Sequence, residues 1–167
     1  MNPMREIRIE KITINIGAGE AGEKLDRAKI LLERLVNKKV VITKTHTRTT
    51  FGTSKGRPIG VKTTLRGKDA EEFLRKALEA NDKKLPQSVF DLQGSFSFGV
   101  KEHIDIPGVK YDPELGIFGM DVSVSLERAG FSVSRKRIAN KIGKTHRTLP
   151  EDASQWVSQK FNVKVGE

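Results

Sequence analysis

The chain of 167 residues contains no cysteine. That absence excludes disulfide bonds, thiolate zinc sites and cysteine nucleophiles. Aromatic residues make up only 6% of the sequence. No apolar run approaches the roughly 18 residues that a membrane-spanning helix needs, and the first ten residues lack the apolar core of a signal peptide. We therefore predict a cytoplasmic protein without a membrane segment, and its length fits one domain with its own core.

Acidic residues are absent from two long stretches of this chain. Residues 38–68 contain nine Lys or Arg and no Asp or Glu, and residues 128–150 contain seven and none. The formal net charge of the whole chain is +10, so the remaining residues are mildly acidic. Solvated protein faces usually mix charges of both signs. The two acid-free stretches therefore predict a face that binds a polyanion, most often a nucleic acid.

Hydrophobic periodicity predicts about five strands and three helices. The predicted strands cover residues 7–16, 40–45, 61–66, 94–100 and 120–126, and the predicted helices cover 23–36, 68–81 and a final segment. That final helix is expected to begin at Thr148 and Glu151, which form a capping-box pattern. Alternation along the strands indicates one buried and one exposed face. We therefore predict a single α+β domain over residues 1–167, with an antiparallel sheet and helices packed on one face.

Short hydroxyl and amide side chains dominate the exposed face of the predicted sheet, with Asp121 as the exception. The other members are Lys11, Thr13, Asn15, Lys62, Thr64, Arg66, Ser95, Ser97, Ser123 and Ser125. Such groups suit close approach to sugar and phosphate oxygens. Aromatic residues are missing from this face, which disfavours stacking of single-stranded bases. The pattern favours a folded RNA backbone as the ligand, and an ordinary solvated sheet face is the alternative.

A glycine-rich turn at residues 17–22 is the strongest enzyme signal in the sequence. It matches the G-x-G-x-x-G pattern between a predicted strand and a predicted helix, which is the context of a dinucleotide site. However, residues 38–68 lack the acidic residue that would bind the ribose, and Glu20 and Glu23 would repel a pyrophosphate. We interpret the segment as a tight turn, with a nucleotide-binding enzyme as the alternative. No catalytic residue, metal or cofactor is predicted.

Motifs distributed over residues 2 to 162 resemble one family. They are Asn2-Pro3-Met4-Arg5, Ile9-Glu10-Lys11, Asn15-Ile16-Gly17, Thr43-Lys44, Pro58-Ile59-Gly60, Thr64-Leu65-Arg66-Gly67, Phe98-Gly99-Val100-Lys101-Glu102-His103-Ile104, Lys110-Tyr111-Asp112-Pro113 and Gly116-Ile117-Phe118-Gly119-Met120-Asp121. This set resembles the universal large-subunit ribosomal protein number five. The segment Gly143-Lys144-Thr145-His146-Arg147 is similar to the archaeal and eukaryotic branch, and the compact, cysteine-free chain favours an archaeal source.

The resemblance implies a structural, non-enzymatic constituent of the large ribosomal subunit that binds 5S rRNA in the central protuberance. It also implies contacts with large-subunit rRNA and neighbouring ribosomal proteins. The polar contacts of the family map onto Asn15 and Thr64, whereas the glutamine of bacterial-type members has no match at Asn37-Lys38-Lys39. Together with the alternation, the expected 5S rRNA-binding residues are Lys11, Thr13, Asn15, Lys44, Lys62, Thr64 and Arg66.

The loop predicted at residues 47–60 matches the projecting loop of that family, which approaches the P-site tRNA. Its expected tRNA-side residues are Phe51, Gly52, Lys55, Gly56, Arg57 and Pro58. A basic segment, residues 128–149, is expected to contact rRNA through Arg135, Lys136, Arg137, Lys141, Lys144, His146 and Arg147. A generic basic RNA chaperone without a fixed site is the other alternative.

Overall fold

A computed structural model describes every residue except Met1, Thr49, Phe51 and Glu167. Its helices are α1 (Glu23–Val36), α2 (Lys68–Ala80) and α3 (Pro150–Phe161). Its strands are β1 (Ile7–Gly17), β2 (Val41–Lys44), β3 (Pro58–Leu65), β4 (Lys84–Pro86), β5 (Phe96–Val100), β6 (Met120–Arg128) and β7 (Lys164–Gly166). Five strands form one sheet in the order β2-β3-β1-β6-β5, and β4 pairs with β7 in parallel. The predicted α+β class with a five-stranded antiparallel sheet is confirmed.

The chain divides into two compact units. The first unit comprises residues 1–12, 65–98 and 123–167, and the second comprises residues 13–64 and 99–122. The core of the first unit includes Ile12, Leu65, Ala70, Leu74, Phe96, Val124, Ala153 and Val157. The core of the second includes Ile14, Ile16, Leu25, Ala28, Leu31, Leu32, Val61, Val100 and Val122.

Burial along β1 and β3 follows the two-residue period of a strand. Residues 12, 14 and 16 are buried isoleucines, whereas residues 13 and 15 between them are half-buried and polar. On β3, residues 61, 63 and 65 are buried, and residues 62 and 64 are exposed. Burial of each isoleucine contributes about 1.5–3 kcal/mol. A shift of one residue would expose that whole apolar set, so the buried face fixes which polar side chains reach solvent.

The loop before β3 ends earlier in the chain than predicted. We predicted a loop up to residue 60, but β3 begins at Pro58, which lies opposite Lys44, and Gly60 lies opposite Thr43. Proline lacks a backbone N–H and fits the first residue of a strand, so a proline there does not mark a loop. Pro58 therefore belongs to the sheet, and the loop comprises residues 45–57.

The predicted capping box of α3 is wrong. The residue that caps the helix is Leu149, and its side chain makes no capping hydrogen bond. Pro150 occupies the first helical turn, a position that suits its fixed backbone angle. Thr148 is 1% exposed, and its Oγ1 has no hydrogen-bond partner among the described residues. Its methyl group packs so close to Gly94 that an added Cβ there would lie 2.8 Å from it.

Candidate RNA-binding surface

A hydrogen bond next to the sheet sets the register between β1 and β3. The N–H of Ala18 donates to the carbonyl oxygen of Ile59 at 2.9 Å, and β1 and β3 are adjacent strands. Opposite residues in an antiparallel pair keep a constant sum of their numbers. Continued along the strands, this register places Asn15 across from Lys62. The buried residues agree with it, because Ile16 then lies across from buried Val61.

The same register brings four of the expected 5S rRNA-binding residues together in the second unit. Thr13 lies across from Thr64, next to the pair of Asn15 and Lys62. The two residues on β1 are half-buried, and the two on β3 are exposed. Their hydroxyl, amide and ammonium groups can all donate hydrogen bonds to phosphate and sugar oxygens.

An open depression beside these residues was not part of the predicted site. It is lined by Lys38, Lys39, Val41, Lys62, Thr63 and Thr64. Val41 lies directly opposite Lys62 and is 56% exposed, so an apolar surface adjoins the ammonium groups. Lys38 and Lys39 are the first residues of the acid-free stretch, and that stretch was the signal in the sequence that could have indicated them as RNA-binding residues. Alternation along the strands did not include them, because they precede β2.

Thr45 fastens the base of the loop at residues 45–57. Its hydroxyl donates to the carbonyl oxygen of Ser54 at 2.7 Å and accepts the N–H of Arg57 at 3.1 Å. Its own N–H donates to the carbonyl oxygen of Arg57 at 2.9 Å, and the N–H of Gly56 donates back to its carbonyl oxygen at 2.9 Å. Lys44, the last residue of β2, directly precedes Thr45 and is exposed.

The loop at residues 45–57 carries two exposed positive charges near its C-terminal end. Lys55 and Arg57 are exposed, as are Gly52 and Gly56, whose φ angles of 79° and 84° favour glycine. Neither Lys55 nor Arg57 forms an ion pair within the part of the chain that the structure describes. Phe51, the remaining residue expected in this loop, lies outside the described residues.

In the first unit, Lys11 and Arg66 lie close to one carboxylate. Glu10 Oε1 is 3.8 Å from both Lys11 Nζ and Arg66 Nη1, and Arg66 also donates to the carbonyl oxygen of Glu10 at 3.3 Å. Strand alternation predicted the exposed face without Glu10, so it did not indicate this acidic neighbour. Two of the seven expected 5S rRNA-binding residues therefore share a carboxylate.

The basic segment at residues 128–149 contains residues of two kinds. Arg128 is the buried last residue of β6 and pairs with Asp152 at 2.7 Å, and Arg135 pairs with acidic residues of the first unit. The ring of His146 lies 2.8 Å from the carbonyl oxygen of Ala129 and is half-buried. In contrast, the remaining five cations are exposed and form no ion pair among the described residues: Lys136, Arg137, Lys141, Lys144 and Arg147.

The glycine-rich turn does not provide a phosphate cradle. Both the Ala18 and Gly19 N–H groups already donate to the carbonyl oxygen of Ile59, at 2.9 and 3.0 Å. A phosphate would have to displace both hydrogen bonds, and it would lie next to the exposed carboxylate of Glu20. The turn connects β1 to α1, and its two N–H groups form hydrogen bonds with the start of β3. Among the described residues, no group of three His, Asp or Glu could hold a metal ion, and no helix is long and apolar enough to cross a membrane.

Comparison with known families decides between these interpretations. Residues 2–50 match the family model described as Ribosomal protein L5, and residues 58–155 match the model described as the C-terminus of the same ribosomal protein family. The chain belongs to the ribosomal protein L5 family. It is similar to the large ribosomal subunit protein uL5 of Sulfurisphaera tokodaii, with 52% identity over 170 residues that cover 100% of this chain and 96% of the relative.

Two further members of the L5 family show similar coverage. The uL5 protein of Nanoarchaeum equitans is 48% identical over 167 residues, which cover 98% of each chain. That of Methanobrevibacter smithii is 46% identical and covers 98% of this chain and 97% of the relative. The predicted family is therefore confirmed, and the archaeal relatives agree with the branch that the sequence indicates.

Membership in the L5 family establishes the function at a coarse level. The chain is a structural, non-enzymatic constituent of the large ribosomal subunit, with ribosomal RNA and ribosomal proteins as partners. This membership argues against both alternatives, the nucleotide-binding enzyme and the generic RNA chaperone.

Proposed function

We propose that this L5 family member binds 5S rRNA in the central protuberance through Thr13, Asn15, Lys62 and Thr64. Lys11, Lys44 and Arg66, the other expected residues, supply further positive charge. The proposed function is structural: the protein holds a folded RNA by its backbone, in the cytoplasm, as part of the large subunit.

The observation that carries this proposal is the register of β1 and β3. It places two hydroxyls, one amide and one ammonium group side by side, and residues 38–68 contribute no carboxylate to repel a phosphate. Hydrogen bonds from short polar side chains to phosphate and sugar oxygens position an RNA without reading its sequence. The absence of aromatic residues among these four positions favours a structured RNA over unpaired bases.

The loop at residues 45–57 is proposed to contact the P-site tRNA. Two exposed cations, Lys55 and Arg57, adjoin two glycines in a loop fastened at its base by Thr45. Glycine permits close approach of the backbone, and arginine suits phosphate recognition. The exposed cations of the basic segment are proposed to contact the rRNA backbone.

Filter binding tests the central proposal. The purified chain should bind folded 5S rRNA at least about tenfold more tightly than an unrelated structured RNA of equal length, because non-specific binding depends on charge alone. The RNA pair should be compared at the same ionic strength. Equal affinity for both RNAs would contradict a defined 5S rRNA site and favour a generic basic RNA-binding protein.

A further inference from the structure

We propose that Arg135 is a positioning residue that anchors the start of the basic segment, rather than a direct ligand of rRNA phosphate. This inference rests on the proposed RNA-binding function of residues 136–147. It concerns how the first unit fixes the exposed cations of that segment before any RNA arrives.

Arg135 contacts two carboxylates at once. Its Nη2 lies 2.6 Å from Glu127 Oε2 and 3.1 Å from Glu10 Oε1. The side chain of Glu127 is 12% exposed and that of Glu10 is 16% exposed, whereas that of Arg135 is 48% exposed. The arginine therefore covers two carboxylates that have largely lost their water.

Those carboxylates have other cationic neighbours, but none that joins them. Arg8 Nε lies 3.0 Å from Glu127 Oε1, and Lys11 and Arg66 lie 3.8 Å from Glu10. Within the described part of the chain, Arg135 alone contacts both. Removing the partner of a largely buried charge is costly, because the remaining charge has neither water nor a counterion. The position of Arg135 is thus fixed from two directions.

The same geometry makes Arg135 a poor phosphate ligand. A phosphate that approached its Nη2 would enter the field of two carboxylates about 3 Å from that atom, and like charges at this distance repel strongly in a partly dry environment. Beyond Arg135, exposed Lys136 and Arg137 have no acidic partner among the described residues. Arg135 also ends the 3-10 helix Phe131–Arg135, so the anchor lies where the exposed part of the segment begins.

If Arg135 is an anchor, removing its two carboxylate partners should change RNA affinity in the direction opposite to that expected from net charge alone. Changing Glu10→Gln and Glu127→Gln together raises the formal net charge from +10 to +12. If charge alone governed RNA binding, the affinity would rise. If the carboxylates hold Arg135, the segment loosens, its cations lose their fixed positions, and the affinity falls.

Two measurements on the full-length chain separate these outcomes. In limited trypsin digestion without RNA, cleavage after Lys136 and Arg137 should be about tenfold faster in the double variant, because local opening governs cleavage. In filter binding at one salt concentration, its affinity for 5S rRNA or large-subunit rRNA fragments should fall about fivefold, with ordering of the segment added to the cost of binding.

The matched control is Glu72→Gln with Glu79→Gln on α2. It adds the same two units of charge and removes two exposed ion pairs, with Lys76 and Lys83, which contribute little to stability. Its cleavage rate should not change, and its RNA affinity should stay equal or rise. Unchanged cleavage in the Glu10 and Glu127 variant, or an affinity that rises as in the control, would overturn the anchor.

A single substitution keeps the proposal testable if the double variant does not fold. Arg135→Gln should also accelerate cleavage after Lys136 and Arg137 about tenfold without RNA, because the anchor is lost. A phosphate ligand would instead leave cleavage unchanged and lower the salt slope of RNA binding by about one; that result would contradict the inference. If the wild-type chain binds no RNA while cleavage responds as stated, the proposed function fails and the anchor stands.

Discussion

Asn15 and Thr64 test the proposed 5S rRNA site at the level of single side chains. Each is a short polar residue on the solvent side of a strand whose neighbours are buried. Asn15→Ala and Thr64→Ala should each weaken 5S rRNA binding by about tenfold to a hundredfold, since a hydrogen bond to a charged group contributes about 1.5–3 kcal/mol. Filter binding measures the effect on affinity. In urea unfolding, each variant should differ from the wild type by less than about 0.5 kcal/mol, which is usual for substitutions at the surface.

The control for these two variants is Ser88→Ala, which removes an exposed hydroxyl outside the proposed site. Its RNA affinity should equal that of the wild type. Normal affinity in both the Asn15 and Thr64 variants would show that the RNA binds elsewhere.

Gly60 is a structural residue next to the same surface. A Cβ at this position would lie 2.8 Å from the carbonyl oxygen of Ile16 and 2.9 Å from Thr43 Oγ1. Gly60→Ala should therefore lower the free energy of unfolding by about 1–3 kcal/mol, the usual cost of overpacking. Urea unfolding measures it. Gly143→Ala, where no atom lies within 4 Å of the added Cβ, should change stability by less than about 0.5 kcal/mol.

Single residues also show where sequence reasoning ends. Alternation predicted that Thr13, Asn15, Lys62 and Thr64 would share the solvent side, because strand periodicity is a local property. Arg135 was expected to face RNA, yet it pairs with Glu127, eight positions earlier on β6, and with Glu10 near the start of the chain. Such pairs depend on tertiary structure, and a residue's own neighbours in the chain do not reveal them.

The hydroxyl of Thr45 supports the closure of the loop at residues 45–57, in addition to the backbone hydrogen bonds of Thr45 with residues 56 and 57. Thr45→Val keeps the side-chain shape but removes the bonds to Ser54 and Arg57. Loss of such bonds, each contributing about 1 kcal/mol, should make hydrogen exchange at the Arg57 amide about fivefold faster, without a change in overall stability. Thr47→Val in the same loop is the control, and similar exchange in the two variants would contradict the role of Thr45.

The exposed cations of that loop are expected to act on tRNA alone. Lys55→Ala with Arg57→Ala should leave 5S rRNA affinity within about twofold, because the loop is not part of the proposed 5S rRNA site. In reconstituted large subunits, the same double variant should weaken retention of P-site tRNA about tenfold, as expected for the loss of two charge-assisted contacts. A fall in 5S rRNA affinity would show that the loop has been assigned to the wrong RNA.

Elements with strong periodicity were predicted most accurately. The predicted helix at residues 23–36 has the same bounds as α1, whose buried residues recur with the period of a helix. The strands β4 and β7 were missed because three residues are too few to establish a period. The capping box of α3 failed for another reason, since Pro150 moved the cap to Leu149.

At the scale of the whole molecule, the placement of charge should govern RNA binding more than its sum. Lys136→Ala, Lys141→Ala and Lys144→Ala together should lower the slope of log affinity against log salt by about three, one for each lost phosphate contact. Replacing Lys24, Lys29 and Lys76 by alanine removes the same charge from α1 and α2. The salt slope of this control variant should change by less than about one. An equal change in both triple variants would mean that RNA binding depends only on net charge.

The order of the strands in the sheet has a consequence for the time course of folding. β1 lies between β3 and β6, and β6 begins roughly a hundred residues after β1 ends. Pairing across such a separation is slow, since the entropy of closing a long loop is lost before the contact forms. During synthesis from the N-terminus, β1 can pair with β3 long before β6 exists. One edge of β1 therefore remains without its partner strand for much of translation, and such unpaired edges favour aggregation.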